Sequence, residues 1–196
     1  MLFSEKEFNV FSDTDFLLTK VEVIDKMKQL LVDTRDKLSK RANESGFSFP
    51  YNVDKNAGKI SKGENYLGLP YLVLDYPACF SNEDIFAFRT MFWWGNFFSC
   101  TLHLQGRSLE LYRRFLINNF DKLKKKGLYV SIGKTPWHYH YGSDNYVLAT
   151  EVDESNIIHA DFIKLSQRIE LTKWERLPNL AASFLTTLLS SITEPL

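Results

Sequence analysis

The sequence predicts an α+β fold with a mainly antiparallel sheet and amphipathic helices at both chain ends, in a single domain. Three observations predict it. Apolar residues recur at three- and four-residue steps over residues 15–41 and again in LPNLAASFLTTLLSSI near the C-terminal end, the spacing of helices with one buried stripe. Between them lie apolar and aromatic runs punctuated by Gly and Pro, the pattern of consecutive strands. The middle of the chain offers only one clear crossover helix and no Gly-rich strand-to-helix fingerprint, which argues against a doubly wound α/β fold.

Composition sets the bounds. A chain of 196 residues with 44% hydrophobic content can bury one sizeable core without a metal or disulfides to hold it. Lys plus Arg equals Asp plus Glu at 24 each, so whole-molecule charge draws the chain neither to nucleic acid nor to anionic lipid. Cys79 and Cys100 are too few for a disulfide framework and read as free thiols. The opening MLFSEKEFNVF meets acid at its fifth residue and has no basic leader. No stretch approaches the roughly 18 uninterrupted apolar residues of a membrane span. The expectation is a cytoplasmic protein.

The first long element runs over 15–41, with Leu17, Val21, Ile24, Met27, Leu31 and Leu38 on its apolar stripe and Gly46 as its stop. Residues 47–66 carry Pro50, Gly58 and Gly63 with little periodicity and read as a loop with short pairing. YLVLDYP from Tyr71 is a strand between prolines, and SNED at 81–84 reads as a helical turn capped by Ser81.

The aromatic run FRTMFWWGNFFSCTLHL follows. Glycine suits the first central position of a type II′ turn, so Gly95-Asn96 is expected to join strands 86–94 and 97–105 through a two-residue loop. In that register Trp94, Phe92, Thr90 and Phe88 face Phe97, Ser99, Thr101 and His103 on one mixed face. Trp93, Met91 and Arg89 face Phe98, Cys100 and Leu102 on a more apolar face that meets the helices.

Ser108 then caps a helix with Leu109, Tyr112, Leu116, Phe120 and Leu123 on one stripe and Gly127 past its end. LYVSIG is a strand, and WHYHYGSDNYVLAT folds back on itself through Gly142-Ser143. Residues 153–171 read as a helix, and Pro178 begins the last one.

Candidate site residues come from the two hairpins. His138 and His140 point the same way if the segment is a strand, and His103 could join them. Three imidazoles could hold a borderline metal, act in acid-base chemistry, or simply hydrogen-bond within the sheet. Asp144 would project from the opposite face unless the chain bends near Gly142. Arg89 needs a partner or a path to solvent, and Asp75 in LVLDYP is the structural candidate, with an anionic ligand as the alternative. Cys100 reads as a buried thiol and His159 as a packing residue. The lysines of KLKKKG complement a helix C-terminus rather than forming a nucleic-acid stripe.

The functional expectation is therefore a ligand-binding or protein-interaction module with an unidentified small molecule or protein as its partner, and no cofactor is implied. Its site would draw on Phe88, Phe92, Trp94, Arg89, His103, His138, His140 and Asn145. The alternative is a small metal-assisted hydrolase using the histidines. A homodimer through an exposed aromatic strand or the C-terminal stripe Leu180, Phe184, Leu188 and Ile192 is also compatible with the sequence.

Overall fold

The computed structural model describes residues 2–193. The helix expected over residues 15–41 is present as one helix, and a shorter helix outside that expectation precedes it. In α1 (Glu5–Ser12) Ser4 and Glu7 form a reciprocal capping box. Asp13 is extended, ends that helix, and accepts the Phe16 N–H to start α2 (Thr14–Glu44). Only the later part of α2 buries its stripe, through Leu31, Thr34, Leu38 and Ala42. Phe8, Phe11, Phe16, Leu17, Leu18 and Val21 are exposed on α1 and the start of α2.

The strands are β1 (Lys59–Tyr66), β2 (Leu69–Phe80), β3 (Asp84–Trp93), β4 (Phe97–Gly106), β5 (Tyr129–Ser131), β6 (Tyr146–Leu148) and β7 (Phe162–Ile169). They form one sheet in the order β1-β2-β3-β4-β7-β5-β6, with every neighbouring pair antiparallel. Helix α3 (Arg107–Lys124), the short α4 (Glu154–Ile158) and α5 (Leu177–Ser191) complete the α+β architecture. The main core lies on one face of the sheet. There Phe86, Phe88, Phe92, Phe98, Cys100, Leu102 and Leu104 meet Leu31, Leu38, Leu116, Phe120, Leu185 and Leu188 from α2, α3 and α5. Burying these side chains contributes about 1.5–3 kcal/mol each.

Several elements differ from their sequence expectations. The β3–β4 loop has three residues, not two: Trp93 pairs with Phe97, and the Asn96 N–H donates to the Trp93 carbonyl around Gly95 at φ 68°. One extra loop residue shifts the register, and a one-residue shift turns one strand over relative to the other. Arg89, Met91 and Trp93 therefore share a face with Phe97, Ser99, Thr101 and His103, while Phe88 and Phe92 belong to the helix-covered face.

Residues 59–66, read as loop, form edge strand β1. Residues 162–169, read as helix, form β7 in the interior of the sheet. Its alternation places Ile163, Leu165 and Ile169 in the core, with Lys164 and Ser166 on the opposite side. The Gly142-Ser143 hairpin is absent, because β5 pairs with β6 across the long connection 132–145.

The 81–84 segment is the β2–β3 connection, in which the Ser81 N–H donates to the Asp84 carbonyl and the Ser81 hydroxyl accepts the Asp84 N–H. Ser108 does not cap α3. Its N–H is taken at 2.7 Å by the Asp84 carboxylate across the Gly106 turn. A Cβ at Gly106 would stand 1.9 Å from the Glu83 carbonyl oxygen, at φ 63°.

On α5, Phe184, Leu188 and Ile192 are buried in the chain's own core and Leu180 packs against it, so that stripe is not a surface for a second copy. No helix among the described residues is long and apolar enough to cross a membrane.

Candidate functional site

The sheet face opposite the helices carries the polar chemistry. Cross-strand pairing aligns Lys59, Asp75, Arg89, Thr101, Ser166 and Tyr129 in one row, because directly paired residues share a face. Around the row, Val73, Met91, Trp93, Phe97 and Tyr139 form a second apolar cluster, packed by Tyr66, Tyr71 and Tyr141. The connection 132–145 folds over this face and supplies Trp137, Tyr139 and Tyr141.

Arg89 is the centre of the row. Its Nε and Nη2 donate to the two Asp75 oxygens at 2.7 and 2.8 Å, and Nη1 donates to the Tyr139 hydroxyl at 2.8 Å. The guanidinium also lies 4.9 Å from the Tyr139 ring centroid and 5.8 Å from that of Phe80. Burial works against the Arg89 charge. The Asp75 hydrogen bonds and charge, together with Tyr139 and Tyr71, outweigh it in sum and raise its pKa further above an already high value. The structural partner inferred for Arg89 is thus the one it has.

The next row places Lys164 beside His103. The fully buried Lys164 ammonium donates to the backbone carbonyls of Pro136, at 2.9 Å, and His138, and lies 4.3 Å from the Tyr139 ring centroid. Burial, reinforced by the Arg89 charge, pushes its pKa down to about 7. Burial likewise holds His103 down to about 3, with Lys164 adding to the effect and Gln105 opposing it in part. Among the described residues neither ring nitrogen of His103 meets a hydrogen-bond partner, and the ring meets Trp137 edge-on at 5.9 Å. This histidine is neutral in the fold at ordinary pH.

His140 is a tether for the covering connection. The Tyr66 hydroxyl accepts the N–H groups of Tyr139 and His140 at 2.6 and 3.1 Å. Its own proton then suits His140 Nδ1 at 3.1 Å, leaving Nε2–H to donate to Asp144 at 3.2 Å. The chain does bend near Gly142, which brings Asp144 to His140. Asn145 is buried and donates to the His140 carbonyl at 2.7 Å, so it braces the same bend. The His138 and His140 rings are neighbours at 5.4 Å. Among the described residues no group of three His, Cys, Asp or Glu side chains is placed to hold a metal, so nothing here supports the alternative reading of a metal-holding histidine cluster.

Of the expected site residues, Arg89 and His103 lie on this face, and His140 and Asn145 fix the connection that covers it. Phe88 and Phe92 pack on the other side, and the Trp94 ring meets Phe92 at a tilt, 5.4 Å away, so none of these three lines the cleft. Cys100 is buried, and its thiol is pushed up to about 12 by that burial, as an inert structural cysteine requires.

Two adjoining cavities open beside Arg89. One, of about 280 Å³, is lined by Tyr66, Tyr71, Val73, Met91 and Tyr139. The other, of about 360 Å³, is lined by Lys59, Ser61, Asp75, Phe80 and Asp54. Arg89 and Trp137 border both. A larger groove of about 460 Å³ between α1 and α2 involves only exposed side chains and converges on no buried polar group.

Tyr66, Tyr71, Trp137, Tyr139, Lys59 and Lys164 were not singled out by the sequence. Period-two alternation in FIKLSQRI is the signal that could have placed Lys164. Comparison with family models, with curated proteins and with solved structures finds no match for this chain.

Proposed function

We propose that this chain is a ligand-binding module whose site is the ring-lined cleft at Arg89 and Trp137. One observation carries the reading: an apolar cavity walled by tyrosines adjoins a guanidinium whose N–H groups are not all used. Rings supply contact area, and the remaining donors orient a ligand's polar end. Asp75 and Tyr139 hold the guanidinium in place, which limits the side-chain ordering cost of binding.

Small aromatic fragments such as phenol and indole, observed by ligand-detected NMR, test this. They are expected to bind the native chain and to be displaced by filling the cavity with Val73→Phe, while circular dichroism and the melting midpoint show that the variant still folds. Binding that Val73→Phe leaves unchanged in a folded protein would place the ligand elsewhere and overturn the proposal.

A further inference from the structure

The two cavities differ in chemistry, and the difference names a ligand class. The first is almost entirely ring and aliphatic surface, and at about 280 Å³ it exceeds the roughly 150 Å³ in which a benzene ring is known to fit. The second holds the cations. Lys59 pairs in register with Asp75, borders this cavity, and makes no ion pair among the described residues.

Arg89 contributes a second donor group. Nη1 is used once, by Tyr139, and Nη2 once, by Asp75, so each terminal nitrogen retains an N–H. Two such N–H groups on one guanidinium can donate to the oxygens of a carboxylate. Asp75 neutralises one positive charge, and the Lys59–Asp75–Arg89 row remains positive overall. Asp54 opposes this at the cavity wall, but its oxygens are turned to the N–H groups of Asn56, Ala57 and Gly58 in its own loop.

A cationic ligand fits the tyrosine lobe less well. The Tyr139 ring already has Arg89 at 4.9 Å and Lys164 at 4.3 Å, so an added ammonium would meet like charge.

We propose that the cleft binds a small aromatic carboxylate, with its ring among Tyr66, Tyr71 and Met91 and its carboxylate between Arg89 and Lys59. This rests on the binding reading above and goes further, by fixing the charge of the ligand and the residues that read it.

The probes are 3-phenylpropionate, its uncharged amide and the cationic 3-phenylpropylamine, titrated by calorimetry at low salt. The acid is expected to bind about tenfold more tightly than the amide, and the amine more weakly than either. Lys59→Met should bring acid and amide within about threefold of each other, and Lys59→Arg should restore the preference. Lys59 is exposed on the edge strand, so these variants probe charge without opening the core.

Equal affinity for acid and amide in the native chain, with both lost in Val73→Phe, would overturn the carboxylate assignment and leave the ring-binding cleft standing. An acid preference unchanged by Lys59→Met would overturn the role of Lys59 in the proposal. Failure of all three probes to bind up to about 10 mM would overturn the carboxylate proposal and the binding reading together.

Discussion

Removing the carboxylate from the Arg89–Asp75 pair should cost far more than removing a surface ion pair. The side chains are 17% and 8% exposed, and the guanidinium is fixed bidentately on Asp75. Taking away one partner of a buried pair leaves the other charged and unsolvated, a loss of about 3–5 kcal/mol. The lower end applies to Asp75→Leu, because Arg89 keeps the Tyr139 hydroxyl and some access to water. We expect about 3 kcal/mol. Arg89→Met should cost about 2 kcal/mol, since an isolated carboxylate can take up a proton. The double variant should be at least about 1.5 kcal/mol more stable than the sum of the two losses implies, because no unpaired charge remains. Urea denaturation at pH 7, with unchanged m-values, measures all three. A loss under about 1 kcal/mol for Asp75→Leu, or additivity within about 0.5 kcal/mol, would show that the pair is not a coupled buried unit, and the cleft would lose its fixed guanidinium.

Lys164 loses its proton near pH 7 in the fold but near 10.5 when unfolded, so the unfolded chain binds more protons between those values. Its contribution to stability should therefore rise with pH, by about 0.7 kcal/mol per unit at pH 7 and about 1.3 kcal/mol per unit at pH 8.5, a slope that Lys164→Met removes in denaturation curves. His103, neutral in the fold down to about 3, is protonated below about 6.5 when unfolded. Stability should fall as pH drops through that window, and His103→Leu should flatten the decline. Gly106→Ala should cost more than about 3 kcal/mol, because its Cβ meets the Glu83 backbone as well as a positive φ. Gly95→Ala has open space and should cost only about 1–2 kcal/mol, so equal thermal shifts would refute the distinction. Phe8→Ser combined with Phe11→Ser should leave the melting midpoint unchanged, since α1 buries no side chain. If these rings join two copies, light scattering should show the association weakened, and a monomer over about 1–100 µM in the parent chain would remove that role.

Helix patterns were legible where one stripe repeats at helical spacing, as in the buried later part of α2 and in α3 and α5. The α+β class followed from them and from the aromatic strands. The register was not legible, because WWGN accommodates either a two- or a three-residue loop with glycine at positive φ. That single residue decided whether Arg89 shared a face with His103 or with Cys100. β7 was missed for a related reason. Lys164 and Ser166 interrupt the apolar run where an exposed helix face would also carry them, yet in the fold both are buried beneath the 132–145 connection. The Asp75–Arg89 pair could be inferred from composition alone because a buried guanidinium requires an acid. The tyrosines of the cleft could not, since Tyr66 and Tyr139 meet across 73 residues of chain, through a hydrogen bond and an edge-on ring contact.

The two faces of the sheet divide the tasks that sequence reasoning had mixed together. The helix-covered face is almost wholly apolar and supplies stability that does not depend on charge. That frees the opposite face to hold Asp75, Arg89, Lys164 and His103, groups whose burial is unfavourable unless they are paired or neutral. Two of them are paired with each other and the other two have depressed pKa values, so their burial cost is contained within a few rows of the sheet. Such an arrangement adds little to folding that Val, Ile or Leu at those positions could not supply more cheaply. Its placement beside an open, ring-lined cleft is compatible with the proposed binding role.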